Sequence, residues 1–160
     1  MAFDKTSFYA HSLNQFAPNR IRGEYLDWGL NAQVMEVEID STQSATLYAG
    51  DPVAIVSTST GKLKVVAATA SDHVYGYILY NPKHETYKAG DVVSVLRDGG
   101  VISEATTEAI NAGTVVYMVP STGEITATST SNIKVGIALE KSSSSTDGTL
   151  IAVEVIRQAI

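Results

Sequence analysis

The chain has no cysteine, a single tryptophan and few charges: only 18% of its 160 residues are Asp, Glu, Lys or Arg. Without cysteine there is neither a disulfide framework nor a thiolate metal site, and the redox compartment leaves no mark on the sequence. No apolar run approaches the roughly 20 residues of a membrane-spanning helix, and the opening "MAFDKTSFYA" has no apolar h-region. The expectation is a soluble protein made in the cytoplasm, with no membrane partner. Basic residues are scarce as well, 11 against 17 acidic ones for a formal net charge of −6. A phosphate lattice needs a basic face, so nucleic acid is not an expected partner.

Catalytic patterns are also missing. His11, His73 and His84 share no ligand spacing, and "HETYK" at 84–88 lacks the second His of a zinc helix. "STGKLK" ends like a phosphate loop, but Val56 stands where its first Gly belongs. There is no G-x-S-x-G elbow. Glu36 and Glu38 share a strand face opposite apolar residues, which marks a solvated outer face rather than a catalytic pair. Asp51 and Asp91 follow glycines, where Asp caps local amides, and no D-x-D-x-D run makes them calcium ligands. The expectation is no enzyme, no cofactor and no metal.

Val, Ser, Thr and Gly are abundant, and the patterns they form are strand patterns. "VMEVEI" (34–39) alternates Met35, Val37 and Ile39 with Glu36 and Glu38; "TLIAVEVI" at the other end alternates Ile151, Val153 and Val155 with Ala152 and Glu154. Between them one phrase recurs: "YAGDPVAIV", "KAGDVVSVL" and "NAGTVVYMV". It predicts three structural turns with Gly50, Gly90 and Gly113 at the positive-φ third position of a type II turn. Each phrase leads to a second turn signal and a return segment, "STGKLKVV", "RDGGVIS" and "PSTGEITA", which reads as three hairpins.

Two of these units are followed by a strand with an internal Gly, "VYGYIL" and "KVGIAL". A bulge or bend is expected there, curling a sheet toward a barrel. The units form a near-repeat. Pro52 suits only a strand start or an edge. "SEATTEAIN" (103–111) reads as a helical turn or loop. Several strands, such as "DVVSVL", are apolar on both faces, so some second faces must be covered by the leader, by loops or by another copy.

The fold class is therefore all-β: a small barrel-like or sandwich body of hairpins over 34–160, preceded by an extended N-terminal arm over 1–33. That arm holds six of the twelve aromatic residues, Phe3, Phe8, Tyr9, Phe16, Tyr25 and Trp28. Residues 1–23 also carry Lys5, Arg20 and Arg22 against Asp4 alone, so a weakly basic leader precedes an acidic body. Burying six rings gains roughly what ordering their backbones costs. The arm needs a neighbour to lie on, and Phe3, Phe8, Tyr9, Phe16, Arg20, Arg22, Tyr25 and Trp28 are the candidate residues for binding another subunit or a larger surface.

The ordered series "YAGDPVAIV", "VYGYILYN", "YKAGDVVSVLRDGGVISEAT", "INAGTVVYMVPSTGEITATS" and "IKVGIALEKSSSSTDGTLIAVEVI" resembles the structural cement or head decoration proteins of tailed bacteriophages, over about residues 45–156. The resemblance implies a small barrel-like protein of the virion, commonly a homotrimer, on the outer capsid surface and clamping neighbouring subunits of the major capsid protein. A second class is a carbohydrate-binding or adhesion module, for which Tyr75, Tyr77, Tyr80 and Tyr87 would form an exposed stacking face.

Overall fold

A computed structural model describes residues 21–26, 32–56, 61–69, 72–106, 108–142 and 149–156. Among these residues there are twelve strands and no helix. They are β1 (Tyr25–Leu26), β2 (Gln33–Ile39), β3 (Leu47–Tyr48), β4 (Pro52–Val56), β5 (Lys64–Ala67), β6 (Gly76–Ile78), β7 (Thr86–Tyr87), β8 (Val92–Ala105), β9 (Val115–Met118), β10 (Ile125–Thr126), β11 (Ile133–Ala138) and β12 (Thr149–Val155).

The strands close into two rings that share β8. In the first, β2 pairs with β5, β5 with β4, β4 with β6, β6 with the first half of β8, and β8 with β2. In the second, the later half of β8 pairs with β12, β12 with β11, β11 with β9, β9 with β10, and β10 with β8. Each ring has one parallel pairing, β2 with β5 or β8 with β10, and is otherwise antiparallel. The near-repeat in sequence is thus a repeat of topology, and the registers coincide. Val53 faces Gly76 as Val116 faces Gly136; Ile55 faces Val65 as Met118 faces Ile125; Ile78 faces Val95 as Ala138 faces Val153.

Three turns aim the strands. Gly50, Gly90 and Gly113 have φ of +84°, +88° and +82°. Each turn is closed by an i to i+3 bond, Asp51, Asp91 and Thr114 N–H donating to the carbonyls of Tyr48, Lys88 and Asn111. Asp51 and Asp91 then accept the Tyr48 and Lys88 amides on their own carboxylates, at 2.8 and 2.7 Å. Every turn is also pinned to a strand reciprocally. Gly113 N–H donates to Ala138 O and Ala138 N–H to Thr114 O, and the same pair of bonds joins Gly50 and Asp51 to Ile78, and Gly90 and Asp91 to Ile39.

One expected hairpin is corrected. "RDGGVIS" does not reverse: β8 runs on for 14 residues from Val92 to Ala105. The register against β2 slips between Gln33, which faces Asp98, and Val34, which faces Leu96. That bulge, with Gly99 at φ +126°, bends the strand out of one ring and into the next. The other two hairpins, β4 with β5 and β9 with β10, form, and Pro52 is the first residue of its strand. Residues 103–105 finish β8, and no helical turn follows among the described residues.

Part of the two-faced pattern is explained within the chain. Val37, Ile39, Val53, Val65, Ile78, Val93 and Val95 fill the first ring. Val116, Met118, Ile125, Ala138, Ile151 and Val153 belong to the second core, and Ala54, Tyr77 and Leu96 of the first ring join that same cluster from outside. One barrel covers a flank of the other.

Candidate functional site

The expected binding residues fall into two groups. Phe3, Phe8, Tyr9, Phe16, Arg20 and Trp28 lie outside the described residues, whereas Arg22 and Tyr25 lie within them. Residues 21–26 are stitched to the body. Gly23 N–H donates to Ile102 O at 2.8 Å, Ile102 N–H to Glu24 O at 2.9 Å, and Tyr80 N–H to Gly23 O at 2.9 Å. Tyr25 faces Val101 and Leu26 faces Gly100 in an antiparallel pair of β1 with β8. Leu26 is buried on Ile102 and Ala152, and the Tyr25 ring is exposed.

Arg22 locks this segment. Its Nη2 donates to Asp51 Oδ1 at 2.9 Å and lies 3.5 Å from Gly123 O. The side chain crosses two glycines so closely that a Cβ on Gly50 would stand 2.6 Å from Arg22 Cγ, and one on Gly123 would overlap the guanidinium. Arg22 is thus an internal clamp, joining a turn of the first barrel to the β9–β10 turn of the second. Asp51 serves both purposes, one oxygen capping Tyr48 and the other holding Arg22. Burial pushes the Asp51 carboxyl above its ordinary range, against the pull of the Tyr48 amide and the guanidinium. The Ala-Gly-Asp phrase announces the cap; no local signal announces a partner 29 residues away.

Beside the clamp lies a cleft of about 410 Å³, lined by Arg22, Tyr48, Asp51, Pro52, Pro120 and Gly123 among others. The region around β2 presents exposed Val34, Met35 and Val92 next to Glu36 and Glu38. Glu38 accepts from Lys64 Nζ at 2.8 Å, and Glu36 accepts from the Ser94 hydroxyl. These carboxylates stand on an outer face and are tied to neighbours across the sheet. Among the described residues, no three His, Asp or Glu side chains come together as a metal site would need.

The tyrosine face expected of an adhesion module is not there. Tyr75, Tyr77 and Tyr87 are buried and only Tyr80 is exposed. Tyr75 and Tyr87 fill the first core, Tyr77 joins the second, and the Arg97 guanidinium stacks 4.2 Å over the Tyr75 ring. The rings serve packing.

Residues 13–155 match the family model of the XM1 gp53 minor capsid protein. The chain belongs to this minor capsid protein family. No curated protein matches it. The matched span takes in both barrels, the clamp and part of the aromatic segment, so this capsid protein carries the family's signature across nearly its whole length. A structural role in a phage capsid, and residence in the virion, follow from that membership.

Proposed function

We propose that this capsid protein sits on the outer surface of the shell and cements contacts between neighbouring major capsid subunits, anchored by the aromatic residues of its N-terminal segment. The observation that carries the reading is the stitching of Gly23–Leu26 to β8. It gives a ring-rich, weakly basic segment a fixed point of departure from a rigid acidic body. Phe3, Phe8, Tyr9, Phe16, Arg20 and Trp28 are the anchoring residues, with the exposed Tyr25 ring beside them. Arg22 acts by fixing where the segment begins.

The role is structural rather than catalytic, as capsid family membership favours, and the homotrimer remains the proposed working unit. Many weak anchoring sites over a shell stabilise it together through mass action, because each bound copy favours the assembled state. Full-length protein with Phe3→Ser, Phe8→Ser and Phe16→Ser, mixed with purified undecorated capsids, tests the anchoring. Occupancy should fall by roughly tenfold or more, as for loss of a buried aromatic cluster; occupancy equal to the unaltered chain refutes it.

A further inference from the structure

Because the two barrels share connectivity and register, a difference between matched positions marks something the fold itself does not require. One such difference concerns the strand that opens each barrel. In the second barrel β8 pairs with β12 along one side, and at Ile102 its other side is closed by the bonds to Gly23 and Glu24, with Leu26 laid over Ile102 and Ala152. The matched position in the first barrel is Glu36 of β2, which faces Ser94 as Ile102 faces Ala152.

The direction of the Glu36 backbone follows from its neighbours. Ser94 O accepts from Leu79 N–H, as Ala152 O accepts from Leu139 N–H. A residue in an antiparallel ladder points its N–H and C=O the same way, so Ser94 bonds toward β6 and Glu36 points away from β8. The β5 strand does not reach it, since its pairing with β2 spans only Glu38 and Ile39. Around this edge Val92 is 61% exposed, Val34 46% and Met35 42%. The counterpart of Val92 in the second barrel is Leu150, which is partly buried against the cluster that Leu26 completes.

We propose that the Val34–Glu36 edge of β2 receives an extended strand from a second copy of the chain, supplied by that copy's residues 1–20, as Gly23–Leu26 serve the second barrel. Charge selects this occupant. The rim carries Glu36, while Glu38 is already paired with Lys64, and laying β2 on the β2 of another copy would bring the two Glu36 carboxylates together, which is unfavourable. Residues 1–20 carry Lys5 and Arg20 against Asp4, a formal net of +1, and three phenylalanines, opposite charge for the rim and apolar rings for Val34 and Val92. Strand addition of this kind draws affinity from main-chain bonds and specificity from alternate side chains. The contact joins two different surfaces, so its repetition closes a ring such as a trimer where the rotation between copies divides a full turn, and otherwise runs on as a filament. Twenty extended residues reach about 60–70 Å, and an edge of this length engages only a few, leaving other rings for the shell.

The proposal uses the same segment as the anchoring reading, and the two can fail separately. Sedimentation of the full chain across concentration, with amide exchange at Glu36, tests it. The oligomer should form, and Glu36 exchange should slow roughly tenfold or more on assembly. Glu36→Pro removes an outward N–H without breaking a bond to β8, and should leave the chain monomeric at concentrations where the unaltered chain assembles. Val92→Lys, at an exposed site, should do the same and decides the matter if the proline variant does not fold. A chain that is monomeric at every concentration overturns the proposal. So does Glu36 protection as strong in the dilute monomer, or assembly unchanged in Val92→Lys. Loss of capsid occupancy in the Phe3, Phe8, Phe16 variant together with unchanged assembly in Val92→Lys would leave anchoring standing and remove strand exchange.

Discussion

Arg22 and Asp51, 2.9 Å apart and 29 residues apart in sequence, tie the N-terminal segment to the first barrel at the place where that barrel meets the second. Both side chains are about four-fifths buried, at 21% and 18% exposure. Water therefore screens the pair less than it would a surface bridge. Arg22→Ala should cost about 1–3 kcal/mol, because Asp51 is left largely buried with the Tyr48 amide as its remaining partner. Urea unfolding measures the loss, and faster amide exchange at Gly23 and Tyr80 should accompany it. A variant as stable as the unaltered chain, with those amides unchanged, would show that the clamp carries no energy.

Gly76 and Gly136 make a second prediction, since they occupy matched positions in β6 and β11. A Cβ at either would overlap the carbonyl of the facing strand, that of Leu96 or of Glu154. Backbone cannot step aside as a flexible side chain can, so Gly76→Ala and Gly136→Ala should each destabilise by on the order of 2–4 kcal/mol. Gly113 has positive φ but open space around it. Gly113→Ala should therefore cost only the left-handed backbone penalty, about 1–2 kcal/mol. Equal losses at all three sites in urea unfolding would contradict the close approach.

The pH dependence should carry two opposing aspartates. Asp40 is held below its ordinary value of 3.8, first by the Thr42 amide and then by the Thr42 hydroxyl. Its folded value is depressed, so its stabilisation is present above the unfolded value and is lost as pH falls through the folded one. Asp51 is raised above 3.8 by burial. Its ionised form weighs on the fold at neutral pH, and that burden lifts as pH falls through the raised value. Carboxyl carbon titrations by NMR should place the Asp51 midpoint above 3.8 and the Asp40 midpoint below it; the reverse order would contradict the geometry.

Much of this architecture was legible in the residues. Period-2 alternation marks β2 and β12, and the Ala-Gly phrases mark three turns whose glycines have positive φ. The near-repeat of turn and strand glycines foreshadows the doubled barrel. What was hidden depends on distance along the chain. "RDGG" suits a reversal as well as a bend, and only the partners on either side, β2 and then β12, show that the strand continues. Ring closure by β2 with β5 and by β8 with β10 leaves no local trace. Apolar residues on both strand faces call for cover by the leader, by loops or by another copy, and packing of Tyr77 and Leu96 into the second core accounts for part of them inside one chain. Arg22 shows the same limit at the candidate site. Its charge suggested a partner molecule, while its partner is Asp51.

The most direct measurement is amide exchange of residues 3–20 in the full-length protein, compared between the free chain and the chain bound to purified capsids. Slower exchange of these residues on the shell, with the exchange of β8 unchanged, is the expected result. Identical exchange in the two states, with capsid occupancy intact, would contradict anchoring by this segment.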